Sequence, residues 1–187
     1  MKAGPPEIVK WPDQSIHYAD SMEIRRAAPA EYREAGRVTA LAYHEFARPG
    51  AADWDAYLAE LADVAGRADR TDVFVAVDGD DSIQGCVTLE IDQTVGDDDV
   101  ELPPDVSCIR MLGVDPSARG RGIGRALVET CISRSREAGK RVVTLRTTER
   151  MKAAQALYAA MAFDRDEGND RVFDNGFRLL AYRMELG

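Results

Sequence analysis

Cysteine and histidine are scarce in this chain, with three of the first and two of the second in 187 residues. Cys86, Cys108 and Cys131 are odd in number and follow no C-x-x-C spacing, so a reduced, cytoplasmic setting is the simple reading. His17 and His44 cannot build a histidine-rich metal centre, and the ligand spacings of zinc sites are missing, so no metal is expected. No run of roughly 18 apolar residues occurs, so neither a transmembrane helix nor a membrane role is expected. The opening Met1-Lys2-Ala3-Gly4-Pro5-Pro6 lacks the apolar segment of a secretory signal. Positive charge is short too: 24 Lys and Arg stand against 33 Asp and Glu, a net charge of −9. A chain this acidic is a poor general binder of nucleic acid, whose phosphates need a basic face.

What is present describes an ordinary globular protein. Hydrophobic residues make up 45% and charged residues 30%, which excludes collagen-like and disordered classes. The length suits about one domain with a sizeable core of its own. Charge is unevenly spread. Residues 1–106 hold nine Lys and Arg against 23 Asp and Glu, a net −14, while residues 107–187 carry +5. The rear of the chain is thus suited to an anion and the front to a cation.

Residues 1–20 are expected to be an irregular leader, broken by Pro5, Pro6 and Pro12, ahead of one domain over 21–187. Strands are expected at 22–26, 73–77, 83–91, 106–114 and 141–147, with closing strands at 163–166 and 179–186. Pro29 opens a first helix whose apolar face is Tyr32, Ala35, Thr39, Ala42 and Phe46, ended by Arg48-Pro49-Gly50. Asp53 is placed as the N-cap of a second helix bearing Trp54, Tyr57, Leu58 and Leu61. Asp78-Gly79-Asp80-Asp81 signals a hairpin. A third helix over 122–138 ends at Gly139, and a fourth runs over 150–161. The mixture predicts an α/β fold, α+β by some schemes, around one mixed sheet.

Chemistry concentrates in Val114-Asp115-Pro116-Ser117-Ala118-Arg119-Gly120-Arg121-Gly122-Ile123-Gly124-Arg125, where a strand passes through a tight turn into a helix. The first turn of a helix leaves backbone N–H groups without intrahelical partners, and the helix dipole adds partial positive charge there. Such a terminus suits phosphate. Glycine lets backbone approach a ligand at positive φ, and Arg119, Arg121 and Arg125 add formal charge. A Walker A loop is excluded because no GK[ST] follows. The spacing G-x-G-x-G of Gly120, Gly122 and Gly124 also fails the dinucleotide fingerprint.

Arg119-Gly120-Arg121-Gly122-Ile123-Gly124 resembles the [QR]xxGx[GA] pyrophosphate loop of the GNAT family of acyl-CoA-dependent N-acyltransferases. The resemblance extends upstream through Ile109-Arg110-Met111-Leu112-Gly113-Val114-Asp115-Pro116, similar to the strand before that loop. Downstream, Ala154-Gln155-Ala156-Leu157-Tyr158-Ala159-Ala160-Met161-Ala162-Phe163 resembles the family's AxxLYxxxGF segment. It implies a mostly antiparallel twisted sheet flanked by helices and splayed between the fourth and fifth strands. It also implies acetyl-CoA as cosubstrate. The pantetheine arm would run along Met111, Leu112 and Val114, and a backbone N–H near Leu112 or Gly113 would polarise the acyl carbonyl. Amides of Gly120, Arg121, Gly122, Ile123, Gly124 and Arg125 would hold the pyrophosphate, with Arg119 beside them. Tyr158 would protonate the departing thiolate, although its helical spacing fits a core aromatic equally well. Two departures stand out: Met151 replaces a frequent Asn, and Ala162 replaces a Gly.

The resemblance implies N-acetyl transfer to a primary amine by direct attack in a ternary complex; a non-catalytic acyl-CoA-binding module is the alternative. An amine must lose a proton to attack, so a base is useful, and Glu90, Glu101 and Glu45 are candidates. His44, Glu45 and Glu90 are the expected acceptor-side residues, and Trp54 and Tyr57 either line that site or pack the core. Asp97-Asp98-Asp99 is either a solvated loop or an acidic rim that draws in a cationic amine, small molecule or peptide. The partners expected are acetyl-CoA and an amine, with a homodimer through a strand near the C-terminus a further option.

Overall fold

A computed structural model describes residues 16–18, 22–46, 52–92, 102–174 and 176–187, with backbone alone for 16–18, 52 and 53. Among the described residues, nine strands form one sheet: β1 (Ile16–Tyr18), β2 (Met22–Arg26), β3 (Asp72–Val77), β4 (Ile83–Glu90), β5 (Val106–Val114), β6 (Val142–Thr148), β7 (Asp164–Arg165), β8 (Arg171–Val172) and β9 (Arg178–Glu185). The order is β1-β2-β3-β4-β5-β6-β9-β7, with β8 also paired to β9. Every pairing is antiparallel except β5 with β6. The helices are α1 (Tyr32–His44), α2 (Ala52–Ala62), α3 (Ile123–Glu137) and α4 (Lys152–Ala160).

Two expectations need correction. Residues 16–18 are not part of an irregular leader, because they pair with β2 through Ile16↔Ile24 and Tyr18↔Met22. Residues 1–15 and 19–21 lie outside the described residues, as do Arg48-Pro49-Gly50 and Asp97-Asp98-Asp99. The second helix begins at Ala52, so Asp53 sits inside its first turn rather than capping it.

The sheet is covered on both faces, which explains why β3 is buried at every position. Side chains alternate along a strand, so Val73, Val75 and Val77 join Ala35 and Val38 of α1, while Phe74 and Ala76 join the cluster of α3. Ile123, Leu127 and Leu89 are almost wholly buried on the α3 side, each worth roughly 1.5–3 kcal/mol of apolar transfer. The entry to α1 is fixed by Glu31, which accepts the Ala28 N–H at 2.7 Å and forks onto Arg25 of β2 at 2.7 Å. Arg134 of α3 reaches Asp72 of β3 at 2.6 Å, and Arg26 of β2 pairs with the same carboxylate.

Candidate active site

The parallel pair β5–β6 opens part-way along. Register pairs run from Val106↔Val142 to Ile109↔Leu145 and stop, although β5 continues to Val114 and β6 to Thr148. The fourth and fifth strands of the sequence reading are β5 and β6 here, so the splay lies where the resemblance implied. Residues 110–114 on one strand and 146–148 on the other form its walls.

A bulge on the β4 side accompanies the opening. Thr88 pairs with Arg110 but Cys86 pairs with Gly113, so three residues of β5 oppose two of β4. The surplus is accommodated at Met111, whose φ is 53°. A left-handed conformation costs a non-glycine residue about 1–2 kcal/mol, and bulges of this kind re-aim the side chains that follow. Gly113 comes next, and a Cβ there would stand 2.9 Å from Thr39 Cα and 3.2 Å from Ala42 Cβ. Its lack of a side chain is what lets α1 lie directly on β5.

The loop that follows is a turn built on Pro116, with Asp115 Oδ1 accepting the Ser117 N–H at 2.9 Å. Gly120 has φ 81° and Gly122, the N-cap of α3, has φ 80°. Apart from the neighbours of each in the chain, no atom of the described residues lies within 4 Å of the Cβ that either would carry, so open space stands over both. Gly124 instead packs on Leu157 of α4, where an added Cβ would make ordinary contact at 3.5 Å. The arginines divide. Arg119 ties the loop to the end of α1, pairing with Glu45 at 2.5 Å and donating to the Ala42 carbonyl at 3.3 Å. Arg125 donates to the Ala160 carbonyl at 3.4 Å, joining α3 to α4. Arg121 is exposed.

Tyr158 is the buried residue of α4, with its ring 5.9 Å from both Phe163 and Tyr182. Burial pushes its phenol far above the ordinary value, so it keeps its proton throughout the neutral range. Tyr182 is steadied from behind: the Arg165 guanidinium lies over its ring at 5.1 Å. Arg165 forks onto Asp170 at 2.9 Å, and Arg178 meets the same carboxylate at 2.8 Å. On β6, the buried Thr147 hydroxyl has no hydrogen-bond partner among the described residues.

The three acceptor-side expectations are not brought together. His44 is exposed on the face of α1 opposite Thr39 and Ala42, in a shallow hollow of about 500 Å³ shared with Arg33, Arg37, Leu41 and Leu58. Glu45 is engaged by Arg119. Glu90 alone lies on the sheet, fully buried at the end of β4 and 3.4 Å from Arg110 Nη1. On α1 and α2, Tyr43 and Tyr57 have ring centroids 6.1 Å apart, with Trp54 5.5 Å from Tyr57. Burial pushes Tyr43 well up, Tyr57 and Tyr158 push it further, and Arg110 and Arg67 oppose the shift. Arg67 is itself buried, and it is satisfied by the carbonyls of Glu60, Leu61 and Asp63 at the end of α2 and by Thr88 Oγ1 at 3.0 Å. Neither Tyr43 nor Arg110 was singled out from sequence. The available signal was an arginine in the middle of an apolar strand.

Sheet, splay, bulge and glycine loop together define an acyltransferase-type scaffold. Residues 34–163 match the model of the acetyltransferase (GNAT) family, and the chain belongs to that family. A mycothiol acetyltransferase of Geodermatophilus obscurus is 29% identical over 155 residues, covering 82% of this chain and 48% of that one. The chain therefore spans about half the length of that relative. Among solved structures, a putative acetyltransferase of Salmonella typhimurium with acetyl-CoA superposes with a TM-score of 0.61 at 19% identity, over 89% of this chain and 95% of that one. A GNAT-family acetyltransferase of Staphylococcus aureus gives 0.66 at 17% identity, over 89% and 99%. These likenesses support the fold.

Proposed function

We propose that this chain transfers the acetyl group of acetyl-CoA to a primary amine by direct attack in a ternary complex. The observation that carries the reading is the cradle at the start of α3, where Gly120 and Gly122 hold positive φ beneath open space. A 15-residue helix starts there, its first N–H groups directed at the same space. The orphan hydroxyl of Thr147, buried on the strand that forms the far wall of the splay, is a second sign of a polar ligand.

The amides of residues 120–125 would bind the pyrophosphate. The backbone of Met111, Leu112 and Val114, which has no strand partner across the splay, would pair with the pantetheine arm. A backbone N–H at Leu112 or Gly113 would stabilise the oxyanion formed as the amine adds to the thioester carbonyl. Acetyl-CoA supplies the activated acyl group. The chain's own work is to place the amine against it and to manage protons. Tyr158 serves the leaving sulfur. A thiol has an ordinary pKa near 8.5, and a buried phenol far above 10 is the weaker acid. Tyr158 therefore acts as a hydrogen-bond donor to the developing thiolate, holding its proton until charge on sulfur draws on it.

Calorimetric titration with acetyl-CoA tests the reading, beside an Arg119→Ala/Gly122→Trp control. Saturable binding that the control abolishes, with thiol release on adding an amine, is the expected result. A folded protein that binds no acyl-CoA would overturn it.

A further inference from the structure

The acceptor side of the splay carries information about the acceptor's chemistry, and the inference rests on the acetyl-transfer reading above. Along β5, Ser107 and Ile109 are buried beneath α3, so Cys108 and Arg110 face α1 and α2. Register places Thr88 beside Arg110 and Glu90 beside Cys108, with Thr144 of β6 on the other side of Cys108. Arg110 is the first residue of β5 past its last pair with β6, and Arg146 is the first of β6. The two arginines thus stand at the mouth of the splay on the same face. Met111 and Leu112, the backbone proposed to lie against the thioester, follow Arg110 directly.

Arg110 is held from behind. Glu90, fully buried, reaches its Nη1 at 3.4 Å, while the Arg110 side chain keeps 26% of its surface exposed. Burial works against the Arg110 charge, and Glu90, Cys108, Tyr57 and Glu60 together outweigh it. A guanidinium carries five N–H donors in a planar fork, so bonding to Glu90 does not exhaust it. The other charges facing this region are Arg67, in the turn after α2 and tied to three carbonyls and Thr88, and the half-buried Glu60 of α2. Glu90 is too deep to take a proton from an incoming amine, so its part is to fix Arg110.

We infer that the acceptor is a small zwitterion of the amino-acid type, its carboxylate taken by Arg110 and its amine presented beside Leu112 and Gly113. The charge pattern of the whole chain agrees with both ends of such a molecule. The −14 of residues 1–106 draws in an ammonium, and Arg110 selects the carboxylate. A peptide N-terminus, which has an amide in place of that carboxylate, is the poorer acceptor.

The test is a panel of free amino acids, each beside its own carboxamide, assayed by thiol release with acetyl-CoA and by calorimetry with the acceptor alone. The best acid should exceed its carboxamide by about tenfold or more in kcat/KM, the scale of charge-assisted hydrogen bonds. Arg110→Gln should raise KM for the acid, leave the carboxamide nearly unchanged and bring the ratio near one, while Arg110→Lys keeps part of the preference. Because Arg110→Gln leaves the buried Glu90 facing a neutral amide, the double variant Arg110→Gln/Glu90→Gln repeats the comparison without a buried charge at this pair. Equal use of acids and carboxamides, or a preference that survives in both Gln variants, overturns the inference. So does a protein that binds acetyl-CoA but neither binds nor acetylates any acid of the panel. Should acetyl-CoA fail to bind, the transferase reading falls, and the calorimetric arm still decides whether Arg110 holds a carboxylate.

Discussion

Two glycines at opposite ends of α3 allow the proposed cofactor loop to be separated from simple helix capping. Gly122 precedes the helix with φ 80°, and Gly139 follows it with φ 73°. Neither would place a Cβ within 4 Å of a described atom beyond its chain neighbours. Replacing either by alanine therefore costs backbone strain alone, about 1–2 kcal/mol for a left-handed L-residue. Loss of glycine's freedom in the unfolded chain returns about 0.4–1 kcal/mol. The net destabilisation is about 1 kcal/mol for both, which lowers Tm by roughly 2–4 °C in a chain of this size. On the proposed reading their roles differ. A methyl group on Gly122 enters the space above the α3 N-terminus, where the pyrophosphate would displace no protein atom. Acetyl-CoA affinity should fall about tenfold or more in Gly122→Ala, the scale of losing one or two hydrogen bonds to a charged oxygen. In Gly139→Ala it should be unchanged. Thermal unfolding by circular dichroism measures the first quantity and calorimetric titration the second. Wild-type affinity in a Gly122→Ala protein that has lost stability would refute the cradle, and equal loss of affinity in Gly139→Ala would refute its localisation.

Tyr158→Phe keeps the ring contacts with Phe163 and Tyr182 and deletes only the donor. It should lower kcat by about a hundredfold with the acetyl-CoA Kd unchanged, by steady-state thiol release beside calorimetry. Asp170→Asn tests the support behind Tyr182. Hydrogen bonding from Arg165, aided by the Ala181 N–H and Arg178, holds the Asp170 carboxyl down at about 2. A depressed folded pKa stabilises above the unfolded value and loses that stability as pH falls through the folded one. Wild type should therefore exceed Asp170→Asn in stability near pH 7, and the gap should close between about pH 4 and pH 2, by chemical denaturation at each pH.

Much of this was written in the sequence because its signals are local. An apolar run bounded by Pro104 and Pro116 gives β5 residue for residue, and glycines alternating with arginines after a strand give the loop. Features that depend on pairing were not legible. The three residues of β1 have no strand signal of their own and exist as a strand by pairing with β2. Nothing in Met111 announces a positive φ, since the residue is neither glycine nor asparagine. Glu90 and Arg110 lie 20 positions apart and meet only through the register of β4 with β5. His44 was expected on the acceptor side from the resemblance, and helical rotation turns it to the opposite face of α1 from Thr39 and Ala42.

The bulge at Met111 explains how one strand serves both sides of the sheet. Before it, Ile109 faces the α3 core and Arg110 faces α1 and α2. In a regular strand Gly113 would fall on the side of Ile109, and Leu112 and Val114 on the side of Arg110. One extra residue reverses this parity, as a register slip does. Leu112 and Val114 pack against the α3 cluster that contains Tyr158, and Gly113 meets Thr39 and Ala42 of α1. The strained residue therefore stands between a polar stretch, where Arg110 looks toward the proposed acceptor, and an apolar stretch whose side chains turn to the core while the backbone is left bare along the splay. The cost of about 1–2 kcal/mol at Met111 is small against the burial of Leu112 and Val114 that it permits. Without the bulge, an arginine, two aliphatic side chains and the close approach of α1 would compete for one face, and the proposed acceptor and thioester walls could not both be built from β5.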